Sequence, residues 1–205
     1  RFLSDRNIVI PQNHRKQRGE YPGGYVKDPH VGAHDWVCSF DLNSLYPNLI
    51  VQYNMSPETL MTAPNYCLPH GVDRYLNSAD PVHPANRALN VAIAANGSCY
   101  SKEHQGFMPE IIIDYYDQRR EVKNKMLDTE SQYQKNKSPE LSRQITQLGN
   151  RQMAIKILLN SLYGALGNQY FRYYDLRIAE GITLSGQLSI RWAEKAMNNA
   201  MNQIM

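Results

Sequence analysis

Hydrophobic positions in this chain fall into two regimes. From about residue 109 onward they recur every three or four residues. Before that they come in short runs broken by proline and glycine. The stretch Pro109 to Lys135 carries Ile111, Ile112, Tyr115, Tyr116, Val122 and Met126 as one stripe, the spacing of an amphipathic helix. Ser138-Pro139 interrupts it. A second helix is expected from Pro139 to Leu162, with Leu141, Ile145, Leu148, Met153 and Ile157 as its inner stripe. Two such helices with a short polar connection make an antiparallel helical hairpin. A further helix is expected from Ala179 to Met205, with Ile182, Leu188, Ile190, Trp192 and Ala196 on its apolar side.

Upstream the pattern shortens to alternation. Trp36, Cys38, Phe40 and Leu42 alternate with Val37, Ser39 and Asp41, predicting a half-buried strand. Asn43-Ser44 then suits a turn or a cap, Pro47 is tolerated only in a first helical turn, and Leu49, Ile50 and Tyr53 continue at helical spacing. A carboxylate at a strand end thus lies beside the free N–H groups of a helix start. The first suits Mg²⁺ and the second suits anions, so one short stretch could hold the metal and the phosphates of a nucleotide. Taken alone, Asp41 could equally cap a turn and Tyr46 fill the core. Further on, Val91-Ala92-Ile93-Ala94 and Ser98-Cys99-Tyr100-Ser101 flank Asn96-Gly97 and predict a β-hairpin. Prolines at 57, 64, 69, 81 and 84 exclude a long helix between 54 and 90, although Ser56 to Leu60 can start a short one. No internal repeat is present.

Composition changes this picture little. The 205 residues, 42% hydrophobic and 20% charged, suit one or two ordinary globular domains. No run of about 18 apolar residues predicts a membrane span, and no secretory leader is expected. A net charge of +3 does not by itself announce nucleic acid. His14, Arg15, Lys16 and Arg18 do cluster, as a solvated arm or a segment lying along a phosphate backbone. Three cysteines, Cys38, Cys67 and Cys99, suit a reduced intracellular protein. Cys67 and His70 lack the second pair that a zinc site requires. Asn54-Met55-Ser56 and Asn96-Gly97-Ser98 match glycosylation sequons, which are discounted because nothing suggests secretion.

The second helix holds the other candidate chemistry. Lys156, Asn160 and Tyr163 share one polar face in an otherwise apolar run. A lysine at a core position needs an acidic partner, and a triphosphate would be one. Arg119 and Lys123, four apart on the first helix, are placed to join it.

Three motifs carry a family resemblance. Asp41 to Ile50, DLNSLYPNLI, resembles the first palm motif of family B DNA polymerases, with Asn48 and Leu49 where serine and isoleucine are usual. Lys156 to Gly164, KILLNSLYG, resembles the fingers motif K-x-x-x-N-S-x-Y-G at every defining position. Tyr21, Gly23 and Gly24 match the Y-x-G-G motif that precedes them. The flanking Phe171 to Arg177 and Pro22 to Pro29 look like the replicative polymerases of T-even-like tailed phages.

The resemblance implies an α+β fold, with a partial palm of short antiparallel strands and helices plus a two-helix fingers hairpin. In chain order it would comprise a leading segment over 1–35, palm over 36–107, fingers over 108–168 and a truncated return to the palm over 169–205. It implies that Asp41 and the Leu42 carbonyl bind metal, and that the N–H groups of Ser44, Leu45 and Tyr46 hold the β- and γ-phosphates. Tyr46 would also lie under the sugar and exclude a 2′-OH. Arg119 and Lys123 would grip the γ-phosphate, Lys156 the α- and γ-phosphates, and Asn160 a β-phosphate oxygen. Lys156 would also protonate the leaving pyrophosphate. Tyr163 and Gly164 would press on the nascent base pair, and Tyr21, Gly23 and Gly24 would contact the template strand.

The implied reaction is DNA-directed transfer of dNMP to a primer 3′-OH with two Mg²⁺ ions. The implied partners are primer–template DNA, dNTP, a sliding clamp and other replisome proteins, in the cytoplasm of a bacterial host and with no membrane. The family's downstream Y-x-D-T-D-S motif has no counterpart, and Asp175 reads as a structural ion-pair member. With Arg1 at its start, the chain is expected to be an internal piece, inactive alone. One subunit of a split polymerase, or a non-catalytic nucleic-acid-binding module, are the alternatives.

Overall fold

The computed structural model describes residues 2–5, 7–11, 19–35, 37–61, 71–77 and 89–204. The elements in chain order are α1 (Phe2–Asp5), α2 (Leu45–Tyr53), α3 (Val72–Asn77), β1 (Val91–Ile93), β2 (Cys99–Ser101), α4 (Phe107–Lys135), α5 (Pro139–Leu166) and α6 (Leu176–Ile204). The class is α+β, as expected: long helices around a small antiparallel hairpin.

The hairpin forms where turn chemistry placed it. Val91 pairs with Ser101, Ala92 with Tyr100 and Ile93 with Cys99. The Gly97 N–H donates to the Ala94 carbonyl at 2.8 Å, and Gly97 takes φ 83°, which glycine adopts without steric cost. Asn96 then reaches out of the turn. Its Nδ2 donates to the Arg177 carbonyl at 2.8 Å and to Glu180 Oε2 at 3.2 Å, docking the hairpin tip on α6. On the other edge, the Met61 N–H donates to the Cys99 carbonyl and the Ser101 N–H to the Thr59 carbonyl.

Helices α4 and α5 form the antiparallel pair. Ser138 starts α5, its Oγ accepting from the Glu140 N–H at 3.2 Å, with Pro139 in the first turn. Met126 Sδ lies 3.8 Å from where a Cβ on Gly149 would stand, which sets the register of the pair. The core gathers at the base of this hairpin: Ile50, Met55, Tyr100, Met108, Ile112, Leu166, Ile178 and Ile182 are fully buried. Thus α2, the β-hairpin, both long helices and the first half of α6 share one apolar centre.

Four expectations are corrected. Residues 37–42 form no strand, and Val37, Phe40 and Leu42 are 76%, 62% and 43% exposed. Alternation alone does not make a strand; a ladder needs a neighbour, and the sheet among the described residues is β1–β2 alone. Residues 57–59 form a turn rather than a short helix. On α5, Met153 and Ile157 are exposed. The stripe of Leu141, Ile145 and Leu148 continues to Ile155 and Leu159, whereas Met153 lies about 140° round the helix from Leu148. Finally, Cys99 is disulfide-bonded, against the expectation of reduced thiols, while Cys38 is free and exposed. The basic cluster at His14 to Arg18, Trp36, Cys67, His70 and the prolines at 64, 69, 81 and 84 lie outside the described residues.

Candidate functional site

Tyr46 is the hub on which three distant stretches meet. It sits in the first turn of α2, which Ser44 opens with φ 52° and ψ 48°, and Pro47, Leu49 and Ile50 bury the helix below it. Its ring stacks on Tyr163 of α5 with centroids 4.5 Å apart and planes tilted by 35°. Its hydroxyl lies 3.0 Å from where a Cβ on Gly24 would stand. Tyr163 in turn shares a side-chain hydrogen bond with Tyr21, whose hydroxyl packs directly on Gly167. Burial, with the Tyr21 bond second, pushes the Tyr163 phenol well above its ordinary range. Tyr21, Gly24, Tyr46 and Tyr163, each singled out by sequence, therefore form one continuous contact.

The N–H groups of Ser44, Leu45 and Tyr46 precede the first intrahelical acceptor bond, which runs from the Asn48 N–H to the Ser44 carbonyl at 3.1 Å. They are the orphan donors of a helix start. Ser44 Oγ turns away to Asn43 Oδ1.

The cations sit on the helical pair. The register that places Met126 beside Gly149 puts Arg119 level with Lys156. Lys123, Lys156 and Asn160 are exposed. Lys156 is therefore not the core lysine its apolar neighbours suggested; it projects into solvent, and among the described residues it makes no hydrogen bond or ion pair. Arg119 is half-buried, and its Nε is buried without a partner. Arg120 takes the surface pairing with Asp117 at 2.9 Å and leaves Arg119 uncompensated. Gly164 is open, with nothing within 4 Å of an added Cβ.

Asp41 and Leu42 lie on the wall of a groove of about 780 Å³ between the 37–42 stretch and α6, with Leu45, Ile190, Glu194 and Met197. The Asp41 carboxylate and the Leu42 carbonyl are hard oxygen donors of the kind Mg²⁺ takes. They do not complete a site, since no group of three or more acidic, histidine or cysteine ligands occurs among the described residues. Asp175 forms the structural ion pair expected of it, bonded to Arg177 at 2.7 and 3.0 Å.

Other positioning residues escape sequence reasoning. The Gly23 carbonyl accepts from Gln187 Nε2 at 2.6 Å, the Tyr25 ring lies 5.6 Å from the Arg191 guanidinium, and Lys27 pairs with Glu194. Alternate residues of the 23–27 run thus meet successive turns of one face of α6. Arg191 also bonds Asp73 at 2.6 Å, tying in α3. The helical spacing of Gln187, Arg191 and Glu194 is visible in the sequence, but any solvated face looks the same.

The sequence model for DNA polymerase family B matches residues 1–205. The chain belongs to this family. It is 33% identical to the DNA-directed DNA polymerase of Escherichia phage RB69 over 98% of this chain and 26% of that protein. It is 31% identical to the DNA-directed DNA polymerase of Enterobacteria phage T4 over the same shares. The family B DNA polymerase from the archaeon Pyrobaculum calidifontis has a similar structure, with a TM-score of 0.64 and 25% identity over 97% of this chain and 22% of that one. The chain spans about a quarter of the length of these curated family B relatives. Among its described residues no helix is long and apolar enough to cross a membrane.

Proposed function

We propose that this chain forms the incoming-nucleotide side of a DNA-directed DNA polymerase active centre. The observation that supports it most is the contact of Tyr21, Gly24, Tyr46 and Tyr163 beside a helical pair whose Arg119, Lys123 and Lys156 have no acidic partner among the described residues. Lys123 and Lys156 are solvated, but Arg119 buries its Nε without a partner, and cations on adjoining turns of the two helices together offer a place for an anion. In this proposal α4 and α5 are the fingers and the surrounding elements are palm.

The reaction is attack of a primer 3′-OH on the α-phosphorus of a dNTP, with the bond to pyrophosphate breaking in line. The N–H groups of Ser44, Leu45 and Tyr46 hold the β- and γ-phosphates. Arg119 and Lys123 grip the γ-phosphate, Asn160 holds a β-oxygen, and Lys156 neutralises charge and gives a proton to the leaving pyrophosphate. Tyr46 lies under the sugar, and Tyr163 and Gly164 check the nascent base pair. Tyr21, Gly23 and Gly24 face the template strand. Asp41 and the Leu42 carbonyl would supply some of the ligands of Mg²⁺, whose chemistry when bound is activation of the attacking oxygen; the described residues leave that shell incomplete, so no step is assigned through it. Primer–template DNA, a sliding clamp and other replisome proteins are the partners proposed, in the cytoplasm of an infected bacterium.

Binding of dNTP in Mg²⁺ buffer, measured by calorimetry, tests the proposal. The chain should bind, and Lys156→Ala should weaken binding roughly ten- to hundredfold, the worth of a charge-assisted hydrogen bond. Equal binding by both chains would overturn it.

A further inference from the structure

We infer that Gly186 and Gln187 of α6 are positioning residues for the Tyr46 ring, and through it set how the site discriminates the sugar of a nucleotide. The second half rests on the proposed place of Tyr46 under that sugar.

The ring is confined on three sides. Tyr163 stacks on it at 4.5 Å, and Gly24 closes on its hydroxyl. On the α6 side, a Cβ on Gly186 would stand 2.8 Å from Cε1 and 3.5 Å from Cδ1. Optimal carbon–carbon separations are about 3.5–4.0 Å, so a methyl at 186 would push the ring by roughly 1 Å. It cannot swing aside cheaply, because Tyr163 packs against the ring, Gly24 closes on its hydroxyl end and α2 is anchored by Pro47, Leu49 and Ile50.

The next residue sets the ring's far end. Gln187 Nε2 donates to the Gly23 carbonyl at 2.6 Å, and this holds the adjacent Gly24 against the hydroxyl. Two consecutive residues of α6 therefore fix one edge and the tip of the ring. Telling a 2′-OH from a 2′-H means sensing one added oxygen atom. A displacement of roughly 1 Å is enough to disturb that, since misplacement by this much can change rates about a hundredfold.

Helix propensity gives the test a sign. Inside a helix, glycine-to-alanine substitution normally stabilises. Gly186→Ala should instead lower the melting temperature. In a Tyr46→Ala background, which removes the ring, the same substitution should raise it or leave it unchanged. An equal fall in both backgrounds overturns the seat.

The second readout is the ratio of dATP to ATP affinity in Mg²⁺ buffer, which a merely structural role would not move. Gly186→Ala and Gln187→Ala should each narrow it by roughly tenfold while dATP binding stays dependent on Lys156. A ratio unchanged in both variants overturns the sugar half. A native chain that binds neither nucleotide overturns the proposed function and the sugar half together, while the sign of the melting shift still decides the seat.

Discussion

Replacing Asn54 with alanine is expected to destabilise the chain by about 4 kcal/mol. Asn54 ends α2 in the left-handed conformation, φ 57° and ψ 42°, and is only 8% exposed. Its Nδ2 donates to the Ser101 carbonyl at 2.6 Å and the His104 carbonyl at 2.8 Å. Its Oδ1 accepts from the Gly106 N–H at 2.8 Å, at the mouth of α4. One amide therefore joins α2, β2 and the start of the long helical pair. Three net hydrogen bonds at about 1 kcal/mol each give about 3 kcal/mol. Alanine in the left-handed region adds about 1 kcal/mol. Asn54→Gly loses the hydrogen bonds without that strain, so it should sit about 1 kcal/mol above Asn54→Ala. Urea unfolding followed by circular dichroism measures both. In thermal melts, 4 kcal/mol corresponds to a fall of roughly 8–16 °C for a chain of this size. An Asn54→Ala chain within about 1 kcal/mol of native refutes the hydrogen-bond sum. Equal losses in the two variants refute the backbone component.

Two further outcomes rest on the same region. Glu58 Oε1 accepts from the Phe107 N–H at 2.6 Å and caps α4, whose own N-cap, Gly106, has no side chain to offer. Glu58→Gln should cost about 1 kcal/mol through the lost charge at a helix N-terminus, read as a lower melting temperature; no shift would show that the carboxylate is a bystander. Burial pushes the Tyr100 phenol well above its ordinary range, and its hydroxyl is buried without a partner. A phenol raised in the folded state leaves stability intact below about pH 10 and erodes it above, by up to about 1.4 kcal/mol per pH unit. Tyr100→Phe should remove that component of the alkaline slope and cost nothing at pH 7; an unchanged slope in urea titrations from pH 8 to 11 counts against it.

What is legible in the sequence is what neighbouring residues decide. Asn96-Gly97 specifies its turn through local backbone chemistry, and Ser138-Pro139 specifies where α5 begins. The long helices follow from periodicity, and Tyr46 and Tyr163 from motif spacing. Asn54 and Glu58 are not legible, because each acts on a group about fifty residues away. Nothing in Asn54-Met55-Ser56 distinguishes a buried helix cap from a surface sequon. The alternation at 37–42 is real, but a ladder depends on a second strand that alternation does not specify. Met153 and Ile157 mislead because their apolar identity extends the stripe past Leu148 where the helical angle does not. The slot for Tyr46 is invisible for the opposite reason: Gly186 contributes by having no side chain.

The contact of residues 23, 25 and 27 with α6 also limits itself. An extended chain advances about 3.3 Å per residue, while a helix rises about 1.5 Å. Fully extended, Gly23 to Lys27 would span about 13 Å, while Gln187 to Glu194 climbs about 10.5 Å. The two repeats run in phase for two steps and drift by nearly 3 Å, a gap that the long arms of Lys27 and Glu194 can span. The segment behaves as a short vernier scale: it reads one register against the helix and locks there. Sliding it by one residue, so that Gly24 takes the place of Gly23 against α6, would present the Tyr25 side chain to Tyr46.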